Sequence, residues 1–219
     1  MRAATKLTLP LWVSILQSVN SDSSLKLLII SNVITILLAV FQGWNYLTLL
    51  LVYWFQSVII GFFNVIRILS LKNFSTVDIK INGQPVKDPK VAKLSVASFF
   101  ALHYGIFHLV YLFFISFDVF FGESGADTSI DMSYVLLAAL IFFVNHLFSY
   151  FHNRERDVGK QNLGRLMAFP YARIIPMHFT IIFGGFLGGP ILLVFFLVLK
   201  TIADVIMHVM EHSSMVVEK

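Results

Sequence analysis

The chain alternates between long apolar runs and short polar intervals, and the runs are of membrane-crossing length. They fall at about residues 26–42, 46–70, 94–117, 132–151, 170–188 and 190–211. About 20 apolar residues cross a hydrocarbon core of roughly 30 Å as a helix, and an isolated span has to satisfy its backbone hydrogen bonds internally. The pattern therefore predicts an all-α, polytopic bundle of six transmembrane helices in a single integral membrane domain. Gly43-Trp44-Asn45 reads as a tight turn between the first two spans, and 188–190 as another between the last two.

Two segments depart from this pattern. Between the second and third spans, Val77 to Val86 reads as a small cytoplasmic β-hairpin. Asn82-Gly83 supplies the two positive-φ positions of a short hairpin turn, and Pro85 confines the second strand to an edge. A solvated loop ornament and a recognition flap are both open to it. Residues 1–25 are the other departure: Pro10 interrupts a short apolar stretch and Asn20-Ser21-Asp22-Ser23-Ser24 follows, with no small-residue cleavage site. An interfacial cytoplasmic arm with Trp12 at headgroup level is expected there.

Composition strengthens the membrane reading. Of 219 residues, 58% are hydrophobic and 13% charged, and the mean hydropathy is +0.82, whereas a soluble domain carries about 25% charge. The absence of cysteine excludes disulfides and thiolate metal sites. Charge placement sets the orientation. Arg2, Lys6, Lys26, Arg67, Lys72, Lys80, Lys87, Lys90, Lys93, Arg154, Arg156, Lys160 and Arg165 all fall on one side of a six-span arrangement. The opposite loops hold Asp118, Glu123, Asp127 and Asp131 with no Lys or Arg. By the positive-inside rule this is a multi-pass cell-membrane protein with both termini cytoplasmic.

The last span carries the strongest chemical signal. Lys200, Asp204, His208 and His212 recur every four residues, with Glu211 beside them, so they share one helical face. Ionisable groups inside a bilayer face a bundle interior and mark a site. His103 and His108 lie in the third span, His146 in the fourth and His178 in the fifth, with Gln56 and Asn64 in the second. Together they outline a histidine-rich polar cavity in the inner half of the bundle. Imidazole and carboxylate are ligands for divalent transition metals. A divalent-metal site, zinc favoured, is expected from Asp204 and His208, with His103, His178 and His212 as further ligands and His146 as an outer candidate. The competing account is that each histidine hydrogen-bonds across helices as packing glue.

His208-x-x-Glu211-His212 also has the spacing in which two histidines bind zinc and the glutamate activates water. Glu211 is therefore the candidate catalytic base if the protein hydrolyses a lipid-like substrate. A proton- or ion-coupled transporter or sensor, with Lys200 and Asp204 as the coupling pair, is the alternative. A structural membrane subunit is the third possibility. Arg173 near the start of the fifth span is expected to snorkel to headgroups, and carbonyls freed by Pro176 to line the cavity. Gly184, Gly185, Gly188 and Gly189 mark a close helix-packing face. No phosphate-binding glycine loop and no nucleic-acid signature is present, so the expected partners are the lipid bilayer and a lipid-like or ionic small substrate.

Tyr53-Trp54-Phe55-Gln56 with Gly61, Asn64 and Arg67, then His103-Tyr104-Gly105-Ile106-Phe107-His108, then Pro176-Met177-His178-Phe179-Thr180, resemble a family of uncharacterised prokaryotic integral membrane proteins. Lys200, Asp204, His208, Glu211 and His212 fit the same pattern. The resemblance covers spans two to six and implies six spans without an established activity. The His208-x-x-x-His212 spacing is also distantly similar to intramembrane zinc hydrolases of the adiponectin-receptor and ceramidase group. Six spans in place of seven, and no Ser-x-x-x-His in the third, depart from that group.

The cysteine-free chain makes this topology directly testable. In intact cells, Glu123→Cys should react with a membrane-impermeant maleimide, whereas Lys80→Cys should react only after permeabilisation. The reverse pattern would invert the assignment.

Overall fold

The computed structural model describes residues 23–76, 79–81, 83–86, 88–121, 130–153, 161–184 and 189–216, and the chain is mostly helical across them. Residues 1–22 of the expected interfacial arm, the acidic loop at 122–129 and the basic loop at 154–160 lie outside the described residues, while residues 23–25 already belong to the first helix. In chain order the helices are α1 (Ser23–Phe41), α2 (Tyr46–Ser70), α3 (Pro89–Phe121), α4 (Met132–Asn153), α5 (Leu163–Ala168), a 3₁₀ turn (Phe169–Arg173), α6 (Ile174–Gly184) and α7 (Gly189–Val216). Three stretches are long and apolar enough to cross a membrane among the described residues: Tyr46–Ser70, Pro89–Phe117 and Leu163–Phe183. Asn32–Phe41 and Met132–Phe148 are apolar but shorter.

Local chemistry explains the helix ends. Gly43 adopts φ +61° in the turn after α1, where a side chain would be strained. Asn45 then caps α2, its Oδ1 accepting from the amides of Leu47 and Thr48 at 2.8 and 3.2 Å. Asp131 caps α4 by accepting from the Tyr134 amide, and its own amide donates to Thr48 Oγ1, which ties the start of α4 to α2. The expected hairpin shrinks to two-residue strands, β2 (Lys80–Ile81) and β3 (Gln84–Pro85), with Gly83 at φ +77°. A parallel bridge between β1 (Phe74–Ser75) and β4 (Gln161–Asn162) was not foreshadowed by any strand pattern.

α2 is the central element. It packs against α3, α4, α5, the 3₁₀ turn, α6 and α7, while α1 packs on α7. Its inward stripe runs through Tyr53, Ser57, Gly61, Asn64 and Ile68, all buried, at the three- and four-residue intervals of a helix face. A Cβ at Gly61 would lie 2.6 Å from Tyr104 Cε1. The missing side chain admits the Tyr104 ring, whose hydroxyl pairs with Ser57 Oγ at 2.7 Å and donates to the Ser57 carbonyl at 3.1 Å. The opposite surface of α3 is a continuous apolar stripe: Leu102, Ile106, Leu109 and Phe113 are each 58–70% exposed. A water-facing surface rarely carries such a stripe.

The fifth apolar segment corrects the sequence reading. It begins at Leu163 rather than near residue 170, and the 3₁₀ turn lies in its middle. Pro170 and Pro176 have no N–H to donate to the carbonyls of residues 166 and 172. Between them the chain tightens, and the Leu166 carbonyl accepts instead from Asn64 Nδ2 of α2 at 3.2 Å. After Pro176 the helix resumes, with Thr180 Oγ1 donating back to the Pro176 carbonyl at 2.7 Å.

Gly61→Ala should drive the Tyr104 ring off α2 and cost about 1–3 kcal/mol, the usual range for overpacking. Tyr104→Phe should cost about 0.6 kcal/mol, the mean for an interhelical hydrogen bond in a membrane. Thermal unfolding in detergent checks the order; a glycine variant less damaging than the phenylalanine variant would contradict the seam described here.

Candidate functional site

Charged side chains converge in the middle of the helices. Lys200 and Asp204 sit one turn apart on α7 and form an ion pair, Nζ to Oδ2 2.7 Å. Their side chains are 27% and 14% exposed, so the pair is held largely within protein. Lys200 Nζ also donates to Asn32 Oδ1 of α1 at 3.2 Å, and Asn32 is buried. The lysine thus bridges two helices while neutralising the carboxylate, which lowers the cost of both charges in an apolar setting.

Arg173 supplies the second cation. It lies at the end of the 3₁₀ turn, eleven positions before the end of α6 at Gly184, and Lys200 lies eleven positions after the start of α7 at Gly189. At 1.5 Å per residue both are about 16 Å from those helix ends. The guanidinium sits over the Tyr53 ring of α2, 5.7 Å from its centroid. Tyr53 is 2% exposed and its hydroxyl has no hydrogen-bond partner. The Arg173 and Asp204 charges both act on that hydroxyl, and Arg173 also acts on Tyr104 and His146. Arg173 thus lies against α2, and the apolar stretch that contains it starts at Leu163, seven residues before Pro170.

The histidines take separate partners. His103 is exposed, stacks on Phe99, and shares a hydrogen bond with the Tyr171 hydroxyl at 2.9 Å. His178, also exposed, pairs through Nδ1 with the Tyr111 hydroxyl at 3.3 Å. His108 and His146 donate from Nδ1 to the carbonyls one turn back, Tyr104 and Phe142. His108 is 4% exposed and its Nε2 has no partner; the rings around it are Trp54, Tyr104 and Tyr111. Gln56 is half-buried on α2, and Asn64 serves the Leu166 carbonyl. Among the described residues no three His, Asp or Glu side chains come within reach of one metal ion. The side chains of His208, Glu211 and His212 lie outside the described residues. The structure thus brings Lys200, Asp204, Asn32, Tyr53 and Arg173 together and leaves His103, His108, His146 and His178 on aromatic and backbone partners.

The model of a family of unknown function, DUF6498, matches residues 15–216. The chain belongs to the DUF6498 family. No curated protein and no solved structure matches it.

Sequence reasoning about this DUF6498 chain gave no site role to Asn32, Tyr53, Tyr104 or Tyr171. Asn32 is an amide in an otherwise apolar run, and Tyr53 lies on the same helical stripe as Ser57 and Asn64, so both carried a readable signal. Tyr171 carried none, because its role depends on where α3 packs. A cavity of about 440 Å³ also opens between α2 and α4, lined by Trp44, Thr48, Leu49, Asp131 and Tyr134.

Substituting either member of the ion pair leaves the other charge half-buried, with an upper bound of about 3–5 kcal/mol for a fully buried pair. Lys200→Met and Asp204→Leu should each lower the unfolding midpoint in detergent more than the double variant does. Additive losses would mean that the two charges act independently.

Proposed function

We propose that this is a six-span membrane protein, with both termini cytoplasmic, that moves a small solute coupled to a proton or ion through a charged centre between α1, α2, α6 and α7. The observation that carries the reading is the Lys200–Asp204 pair, anchored to Asn32 across the bundle and placed mid-helix. Ionisable residues at such depth mark ion pathways and proton relays. The apolar outer stripe of α3 supports the membrane setting.

The arrangement has a direct coupling chemistry. With Asp204 ionised, Lys200 is shared between the carboxylate and Asn32. A proton on Asp204 cancels the attraction on α7 and leaves the ammonium on Asn32 alone, which shifts the load from within α7 to the α1–α7 contact. One proton therefore changes how two helices are joined. Hydrolysis has less support, because His103 and His178, the described histidines of the expected ligand set, already hydrogen-bond tyrosine hydroxyls, and Asp204 is paired with Lys200.

The test uses proteoliposomes enclosing a pH-sensitive dye and challenged in turn with small organic anions, organic cations and neutral solutes. At least one class should change the lumen pH, and Asp204→Asn should abolish the change while the protein remains folded and inserted. No pH change with any class from folded wild type would remove the coupled-transport reading.

A further inference from the structure

We propose that Arg173 and Tyr53 form a binding site for an oxyanion, a carboxylate or a phosphate group, inside the bundle. The proposal rests on the transport reading for the anion's purpose and names the substrate class of that centre.

The argument is a count of charges and donors. A guanidinium is protonated at every accessible pH and carries five N–H donors with no acceptor. Arg173 Nε is buried and has no hydrogen-bond partner, and its group contact is the face of Tyr53. Asp204 shares these surroundings, but Lys200 engages it at 2.7 Å. Arg173 and Lys200 against Asp204 leave one surplus positive charge among the described side chains of this centre. Tyr53, 2% exposed, adds a hydroxyl without a partner. Buried polar groups are nearly always satisfied, and unsatisfied ones call for an explanation.

The complement of a surplus cation and two idle donors is one negative charge carried on oxygens. The planar guanidinium fork matches a carboxylate or phosphate edge, which an ammonium does not. A cationic ligand would meet the surplus charge unfavourably, and a neutral ligand would leave it uncompensated. Three further features fit an anion here. Arg173 stands on the 3₁₀ turn between Pro170 and Pro176, so its position is set by backbone geometry rather than by a carboxylate partner. His146 of α4 lies within its electrostatic reach, and the sequence of α4 holds no Asp or Glu to offset it. The Tyr104 hydroxyl is already committed to Ser57, which leaves the Tyr53 hydroxyl as the second available donor on this face.

The anion has two sources, a free solute or a lipid headgroup, and the experiment separates them. Full-length protein in detergent is titrated with radiolabelled acetate, with radiolabelled inorganic phosphate, and with micelles containing phosphatidylglycerol or diacylglycerol. Saturable binding of acetate or phosphate marks a soluble anion; binding of phosphatidylglycerol in preference to diacylglycerol marks a headgroup. Arg173→Gln should weaken the binding about tenfold or more, and Tyr53→Phe about threefold to tenfold, as expected for hydrogen bonds to a charged group. Lys80→Gln, on the loop hairpin, should change nothing. Tyr53→Phe keeps the ring under the guanidinium and removes the hydroxyl alone, so it decides the matter if Arg173→Gln does not fold. No binding of any probe by folded wild type, or binding that both variants leave unchanged, overturns the site. Anion binding without a lumen pH change keeps this site and removes the transport reading. A pH change driven by cations alone, with no anion binding, does the reverse.

Discussion

An apolar helix can satisfy a polar side chain only on itself or on a neighbouring helix, and among the described residues α2 serves repeatedly as that neighbour. Trp54 donates to the His108 carbonyl, Ser57 meets the Tyr104 hydroxyl, and Asn64 reaches the Leu166 carbonyl. The first two bonds join α2 to α3 and the third joins it to α5, and all lie on or beside one stripe. Gly61 is the gap in that stripe that lets an aromatic ring approach the backbone. The other described helices pack around these contacts because polar groups in apolar surroundings have no cheaper alternative.

The same logic separates the two cations. Lys200 has its carboxylate one turn away on its own helix and an amide from α1, so it is locally neutralised. Arg173 has an aromatic face instead. A quadrupole attracts a cation without cancelling its charge, so the potential around Arg173 persists where that around Lys200 is largely quenched. Two basic residues on adjoining segments of the fold therefore play unlike parts, one as a structural bridge and the other as a source of field.

Much of the architecture was readable from the hydrophobic runs. The ends of α2 and α4 follow from capping residues and apolar length, and the Lys200–Asp204 pair follows from i, i+4 spacing. The start of the fifth segment was misplaced because Leu163–Ala168 contains Gly164 and Arg165, which dilute its apolar signal, so Arg173 was placed near the start of the segment rather than near its middle. The histidines were grouped by depth alone. Depth is legible in a sequence, but rotation about each helix axis and the order of helices around the bundle are not. Those two quantities put His103 on Tyr171 and His178 on Tyr111. The local carbonyl partners of His108 and His146, one turn back on their own helices, needed no tertiary knowledge and were available to a closer reading.

The paired prolines of the fifth segment give it mechanical character. On one side of the 3₁₀ turn, Leu166 is latched to α2 through Asn64; on the other, His178 is held to α3 through Tyr111. Between these two anchors, Pro170 and Pro176 leave the backbone with fewer hydrogen bonds than any regular helix, so bending compliance concentrates at Phe169–Arg173. Arg173 sits at that fulcrum on a long side-chain lever. Bending at this turn would move the guanidinium relative to the Tyr53 ring that it now covers.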